Sequence, residues 1–144
     1  MFRKILFLVS GTKESMKAAD ICIELALAHD SQIIAVYVVD TNVVRQLSRN
    51  SSKSPGEITV EIEESGWRYL YHIEDMAKDK KAKIVVMMED GSPPEKTLEL
   101  AKQNGVELIV LSQPESERGT YGRLLDKRIQ YILQHSPCSV LVAK

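Results

Sequence analysis

Residues 4–20, KILFLVSGTKESMKAAD, contain the transition that decides the fold. The stretch opens with a continuous apolar run, ILFLV at residues 5–9. After the small polar turn Ser10-Gly11-Thr12, apolar residues recur at helical spacing, beginning with Met16 and Ala19. An apolar run that leads through a short turn into an amphipathic segment predicts a β-strand followed directly by an α-helix.

The same unit recurs along the rest of the chain. Each apolar run is hydrophobic on both alternating faces, as in strands that helices cover on both sides of a parallel sheet. Strands that alternate with helices predict a single α/β domain over residues 1–144 with right-handed crossovers. The other predicted strands are IIAVYVV (33–39), IVVMM (84–88), LIVL (108–111) and SVLVA (139–143), and the predicted helices span 14–29, 58–80, 93–104 and 122–135.

Residues 40–57, DTNVVRQLSRNSSKSPGE, depart from this alternation. The segment is polar and rich in serine, and it predicts a long loop between the second strand and the second helix. Loops of this length are commonly functional or disordered. Arg45, Arg49 and Lys53 could bind an anion there, and the alternative interpretation is a solvated tether.

Composition limits the classes of partner. The formal net charge is −1, which gives no electrostatic basis for binding nucleic acid. The longest uncharged apolar run, residues 33–39, is too short to span a bilayer, so we expect no direct membrane insertion. Cys22 and Cys138 lack the spacing of metal ligands and are interpreted as small buried residues. These features predict a cytoplasmic protein.

The sequence offers no obvious catalytic group. His29 and His135 lie near the predicted ends of helices, and His72 lies in the middle of one. No pair of histidines has metal-binding spacing, and no nucleophile accompanies a general base. We therefore expect no catalytic residue and no metal site.

Open parallel sheets bind ligands beyond the carboxyl ends of their strands. Four segments of this chain occupy such positions. They are Ser10-Gly11-Thr12, Val39-Asp40, Asp90-Gly91-Ser92 and residues 112–119. Neither a Walker loop nor a G-x-G-x-x-G motif is present.

Several of these stretches resemble the universal stress protein family. The first strand and turn, KILFLVSGTKESMKAAD, resemble the family's KILVPVDGSEES-type opening, and AVYVVD resembles its second strand. VMMEDGSPPEKTLELAKQNGVELIVLS and HSPCSVLVAK resemble the segments that close the family's domain. The resemblance covers essentially the whole chain. It implies a five-stranded sheet in the order 3-2-1-4-5, helices on both faces (an adenine nucleotide alpha hydrolase-like, Rossmann-like fold), and a homodimer through the last strand.

Family members that bind ATP carry a glycine motif between the fourth strand and the last helix. Aligned back from HSPCSVLV, the motif positions fall on Gln113, Ser116, Asp126 and Lys127, and none of the four matches. The family's first-turn aspartate is Ser10 here, whereas Asp40 occupies the expected place after the second strand. The resemblance is therefore to the branch that lacks the ATP motif. The positional candidates for a binding site are Ser10, Gly11, Val39, Asp40, Gly91, Gln113, Ser116 and Lys127.

Two functional hypotheses follow from this resemblance. The first is a regulatory, non-enzymatic protein that needs no ATP or other cofactor, pairs with itself through Ser139–Ala143, and contacts unknown protein partners. The alternative is an ATP- or AMP-binding member with an altered phosphate loop and at most weak hydrolysis. Gly119 and Gly122 with Arg118 and Arg123 would then form a rearranged anion site. A relative of the regulatory domains attached to transporters remains a third possibility.

Overall fold

The structure is a computed structural model that describes residues 1–113 and 120–144, and of residues 120–126 only the backbone is described. Five parallel strands form one sheet in the order β3-β2-β1-β4-β5, which confirms the predicted topology. The strands are β1 (Lys4–Leu8), β2 (Gln32–Asp40), β3 (Lys83–Gly91), β4 (Leu108–Ser112) and β5 (Ser139–Ala143). The helices are α1 (Lys13–His29), α2 (Thr41–Arg49), α3 (Pro55–Asp79), α4 (Pro93–Gln103) and α5 (Thr120–His135).

Alternate residues of the strands form two hydrophobic cores, one on each face of the sheet. Ile5 and Phe7 of β1 pack beneath α1 and α3, whereas Leu6 between them packs beneath α4 and α5. All three side chains are fully buried. This two-sided burial explains why the strands are continuously apolar rather than alternately polar.

The prediction of a long polar loop at residues 40–57 is wrong. Residues 41–49 form α2, and α3 already begins at Pro55. The Asp40 side chain caps α2 by accepting hydrogen bonds from the backbone N–H of Asn42 (3.0 Å) and Val43 (3.4 Å). Val44 is the one buried residue of α2. A helix that docks through a single apolar side chain lacks the periodic pattern by which helices are recognised in sequence.

Gly66 lets α3 approach the sheet closely. A Cβ atom at this position would lie 2.6 Å from Cδ1 of Tyr37 and 2.8 Å from Cε of Met88. These distances are shorter than van der Waals contact, so a side chain at position 66 would displace one of its neighbours. Tyr37 lies on β2, so the contact joins α3 to this strand.

Within the described residues, no helix combines the length and the apolar character that crossing a membrane requires. Both cysteines are free thiols. Cys22 is a residue of α1 that lies in the core, and burial raises its pKa from the ordinary value of 9.0 to about 12. Cys22 is therefore a protonated, unreactive core residue at neutral pH.

Candidate functional site

A cleft of about 610 Å³ opens beyond the carboxyl ends of β1, β2 and β4. The chain runs from β1 outward to β2 and β3 and then crosses to β4 on the other side of β1, so the cleft lies at the switch point of the sheet. Its volume falls within the range of about 300–1,000 Å³ that small-molecule pockets occupy. The lining residues are Leu8–Thr12, Tyr37, Val38, Asp40, Val43, Gln46, Leu47, Ile62, Pro93, Pro94, Leu111, Ser112, Arg128, Ile129 and Ile132.

A network of hydroxyl groups holds the turn after β1. Thr12 caps α1 by accepting a hydrogen bond from the Ser15 backbone N–H (3.2 Å), and its hydroxyl lies 3.0 Å from that of Ser10. The Ser10 backbone N–H donates in turn to the fully buried Ser15 hydroxyl at 3.0 Å. Gly11 lies against the ring of Tyr69, so a Cβ there would meet that ring at 3.0 Å. The turn therefore forms a rigid wall of the cleft.

An ion pair between Asp40 and Arg128 joins two distant parts of the chain across the mouth of the cleft. The Arg128 guanidinium donates to Oδ2 of Asp40, while Oδ1 of Asp40 caps α2. The side chains retain only 11 % (Asp40) and 25 % (Arg128) of their exposure. Because the guanidinium has five N–H donors in a planar fork, this contact leaves donors available for a ligand.

The structure brings together some of the predicted site residues and separates others. Ser10, Gly11 and Asp40 line the cleft. Val39 does not, because its side chain is buried against Val44 and Ile58.

The other predicted positions either do not line the cleft or lie outside the residues that the structure describes. Gly91 has a φ of 134° and ends β3, and the prolines that follow it line the cleft instead. The Gln113 backbone N–H donates to the Ala143 carbonyl at 2.9 Å, and Gln113 is absent from the lining. Lys127 is exposed, and its neighbour Arg128 faces the cleft. Ser116 and the proposed loop site at Gly119 and Arg118 lie outside the described residues, as do the side chains of Arg123 and Asp126.

A second, polar groove of about 250 Å³ adjoins the cleft and shares Asp40, Val43, Gln46 and Arg128 with it. Arg45 and Arg49 from α2 line this groove together with Arg128 from α5. Lys53, which the sequence groups with these arginines, pairs instead with Glu61 on α3. The contribution of Arg128 could not be predicted from the sequence, because no local pattern brings residue 128 next to residues 40–49.

Among the described residues, the side chains around the cleft do not form a metal-binding group. No group of three or more His, Cys, Asp or Glu residues there could hold a metal ion. The His29 ring packs edge-on against Phe2 at 5.6 Å, and the His135 ring lies 4.5 Å from that of Tyr131. None of the three histidines is among the residues that line the cleft.

The parallel sheet in the order β3-β2-β1-β4-β5, with a cleft at its switch point, defines an α/β protein of the adenine nucleotide alpha hydrolase-like class. Over residues 1–144 the sequence matches the model of the Universal stress protein family, and the chain belongs to that family. It is 28 % identical to the universal stress protein MJ0531 of Methanocaldococcus jannaschii, over 100 % of this chain and 83 % of the relative. It is 26 % identical to the universal stress protein YxiE of Bacillus subtilis, over the full length of both.

Solved structures of low sequence identity share the fold. The protein MJ0577 superposes with a TM-score of 0.80 at 17 % identity, over 100 % of this chain and 96 % of its own. A universal stress protein in complex with cAMP superposes at 0.72 with 20 % identity, over 99 % and 96 %. The universal stress protein from Archaeoglobus fulgidus in complex with dAMP superposes at 0.70 with 12 % identity, over 99 % and 98 %. At these identities the likeness establishes the fold.

Proposed function

We propose that this protein is a regulatory member of the universal stress protein family that binds an adenine mononucleotide in the switch-point cleft, without depending on ATP. The observation that carries the proposal is the cleft itself, which has an apolar interior and convergent polar groups at its mouth. Two proteins of the same fold are in complex with cAMP and dAMP. This proposal places the nucleotide-binding alternative ahead of the hypothesis of a protein without any cofactor.

The preference for a mononucleotide over ATP rests on the segment after β4. Gln113 stands at the position of the first glycine in the family's ATP motif, and its backbone N–H is already bonded to Ala143. That N–H is therefore not free to contact a phosphate. The sequence also lacks the other three motif residues, at Ser116, Asp126 and Lys127. These substitutions remove the backbone approach and the hydroxyl by which the motif would hold a triphosphate.

Calorimetric titration of the purified protein with AMP, cAMP and ATP tests the proposal, together with mass analysis of any nucleotide that survives purification. Leu47 lines the cleft with 48 % exposure, whereas Leu133 is 50 % exposed outside the lining and provides a matched control. We expect saturable AMP or cAMP binding that Leu47→Asp weakens at least ten-fold and Leu133→Asp leaves unchanged. Absence of saturable binding by all three nucleotides, with none retained on purification, would refute the proposal.

We further propose that the cleft binds its ligand without chemical turnover. The hydroxyls of Ser10 and Thr12 are hydrogen-bonded to each other, so each has a partner other than a general base. A phosphate-release assay with Mg-ATP checks this point. Release above that of a matched blank, abolished by Leu47→Asp, would contradict a binding-only role.

The protein is also proposed to act as a homodimer in the cytoplasm. β5 lies at the edge of the sheet, pairs with β4 alone among the described strands, and leaves Val140–Val142 only partly buried. An unpaired edge strand favours pairing with a twofold-related copy. Cys22 and Cys138 are free thiols, as is usual in a reducing compartment such as the cytoplasm, and this supports the proposed location. Light scattering should give a dimer that Val140→Pro or Val142→Pro dissociates, and a monomeric unmodified protein at micromolar concentration would exclude the dimer.

A further inference from the structure

We infer that Arg45, Arg49 and Arg128 form an anion subsite, which takes the phosphate of a mononucleotide whose base lies in the adjoining apolar cleft. This inference rests on the proposed function, and it assigns the phosphate to α2 and α5 rather than to the segment after β4. All three arginines line the polar groove of about 250 Å³ beside the cleft.

The groove and the cleft lie side by side. Four residues line both spaces, so a single ligand can extend from one into the other. Gln46 and Val43 lie on the shared wall contributed by α2, and the Asp40–Arg128 pair lies at the end of β2. The cleft is lined mainly by apolar side chains and the groove mainly by polar ones. This division matches a ligand with a flat apolar base at one end and a charged group at the other.

The charge in the groove favours an anion. Three arginines line it, and Asp40 is the only acidic residue among its described lining residues. Asp40 is already engaged by Arg128 and by two backbone N–H groups of α2, so its charge is compensated locally. The groove therefore keeps a net positive charge of two, a sign and magnitude suited to a phosphomonoester, whose charge at neutral pH is about −1.5 to −2.

The geometry of the donors also favours phosphate. Arg45 and Arg49 are four residues apart on α2 and so project from the same side of the helix. Arg45 is oriented by a hydrogen bond from its Nη2 to Oδ1 of Asn42 (2.8 Å), and Arg49 has no ion pair with any described residue. Planar guanidinium groups bind phosphate oxygens in a bidentate manner, which a lysine cannot reproduce.

The test compares AMP with adenosine by calorimetry, because only AMP carries the phosphate. We expect AMP to bind the unmodified protein at least ten-fold more tightly than adenosine, with an advantage that declines as salt is raised. The double variant Arg45→Gln, Arg49→Gln should lose that advantage while adenosine affinity stays unchanged. The control Arg68→Gln removes an exposed arginine of α3 that bonds only Ser65 among the described residues, and it should keep the advantage.

A third variant separates this subsite from the alternative anion site predicted from sequence. Arg118→Gln combined with Arg123→Gln should leave AMP binding intact if the phosphate lies against α2 and α5. Loss of the AMP advantage in this loop variant, with retention in the α2 variant, would overturn the inference. Equal affinities of AMP and adenosine for the unmodified protein would also overturn it, while leaving a nucleoside-binding form of the proposed function in place.

Failure of the proposed function would give a different set of binding results. If neither AMP nor adenosine binds, inorganic pyrophosphate serves as the probe of the arginine groove alone. Saturable pyrophosphate binding that the Arg45→Gln, Arg49→Gln variant abolishes and Arg68→Gln preserves would support the anion subsite without the nucleotide. Absence of pyrophosphate binding in that case would overturn both proposals.

Discussion

Replacement of Gly66 by alanine tests whether the close approach of α3 to the sheet positions the wall of the cleft. Two effects of opposite sign compete. Alanine favours a helix over glycine by about 1 kcal/mol in a helix interior. Against this, the new Cβ would lie 2.6 and 2.8 Å from two ring carbons of Tyr37 and 2.8 Å from the methyl carbon of Met88.

The steric effect should win. The nearest atom is Cδ1 of Tyr37, next to the point where the ring joins its own Cβ, so the ring cannot move away without displacing the whole side chain. Overpacking of this kind typically costs about 1–3 kcal/mol. We therefore expect Gly66→Ala to reduce the free energy of unfolding by about 1 kcal/mol. In a chain of this size that change lowers the melting temperature by roughly 2–4 °C.

Urea unfolding with Gly56→Ala as the matched control measures the effect. Gly56 lies in the first turn of the same helix, and a Cβ there would meet only the Ser54 hydroxyl, at 3.9 Å. Gly56→Ala should therefore be neutral or stabilising. Because Tyr37 lines the cleft, Gly66→Ala should also weaken AMP binding, whereas Gly56→Ala should not. Stabilisation of the protein by both substitutions to the same extent would refute the close-approach argument.

Three further predictions concern the cleft mouth, the first turn and the core. Asp40→Asn keeps a capping side chain but removes the charge that pairs with Arg128, so its free energy of unfolding in urea should fall by about 1–2 kcal/mol. Asp40→Ala also removes the cap and should lower the free energy of unfolding by about 1 kcal/mol more. Equal losses for the two variants would exclude the capping role. Ser15→Ala leaves the Ser10 backbone N–H without its acceptor and should cost about 1–3 kcal/mol, whereas a change below 0.5 kcal/mol would show that water replaces the hydroxyl. Burial raises the pKa of Cys22 to about 12, above its ordinary value of 9.0, so the folded state holds a proton that the unfolded state releases. This contribution to stability is complete below pH 9 and is lost as the pH rises above 9, by at most about 1.4 kcal/mol per pH unit. In a Cys22→Ala variant, the free energy of unfolding should therefore fall less steeply with pH in the alkaline range. Identical pH profiles for the two proteins would contradict a raised pKa at Cys22.

The sequence determined the elements that bury large apolar surfaces. The five strands lie where the apolar runs predict them, and the central strands β2, β1 and β4 are buried at most positions because helices cover both faces of the sheet. The four long helices lie within a few residues of their predicted bounds for a similar reason, since each presents an apolar face to the sheet. The sheet order came from the family resemblance, and the structure confirms it.

Tertiary structure alone decided how the site is assembled. α2 went unrecognised because Val44 is its one buried residue, and packing against Val39 and Ile58 exists only in the folded chain. Lys127 occupies the position that corresponds to the family's motif, yet Arg128 faces the cleft. Neighbouring residues of a helix point about 100° apart, so the docking angle of α5 determines which cation meets Asp40. A contact between residues 88 positions apart depends on that docking, and no local pattern in the sequence specifies it.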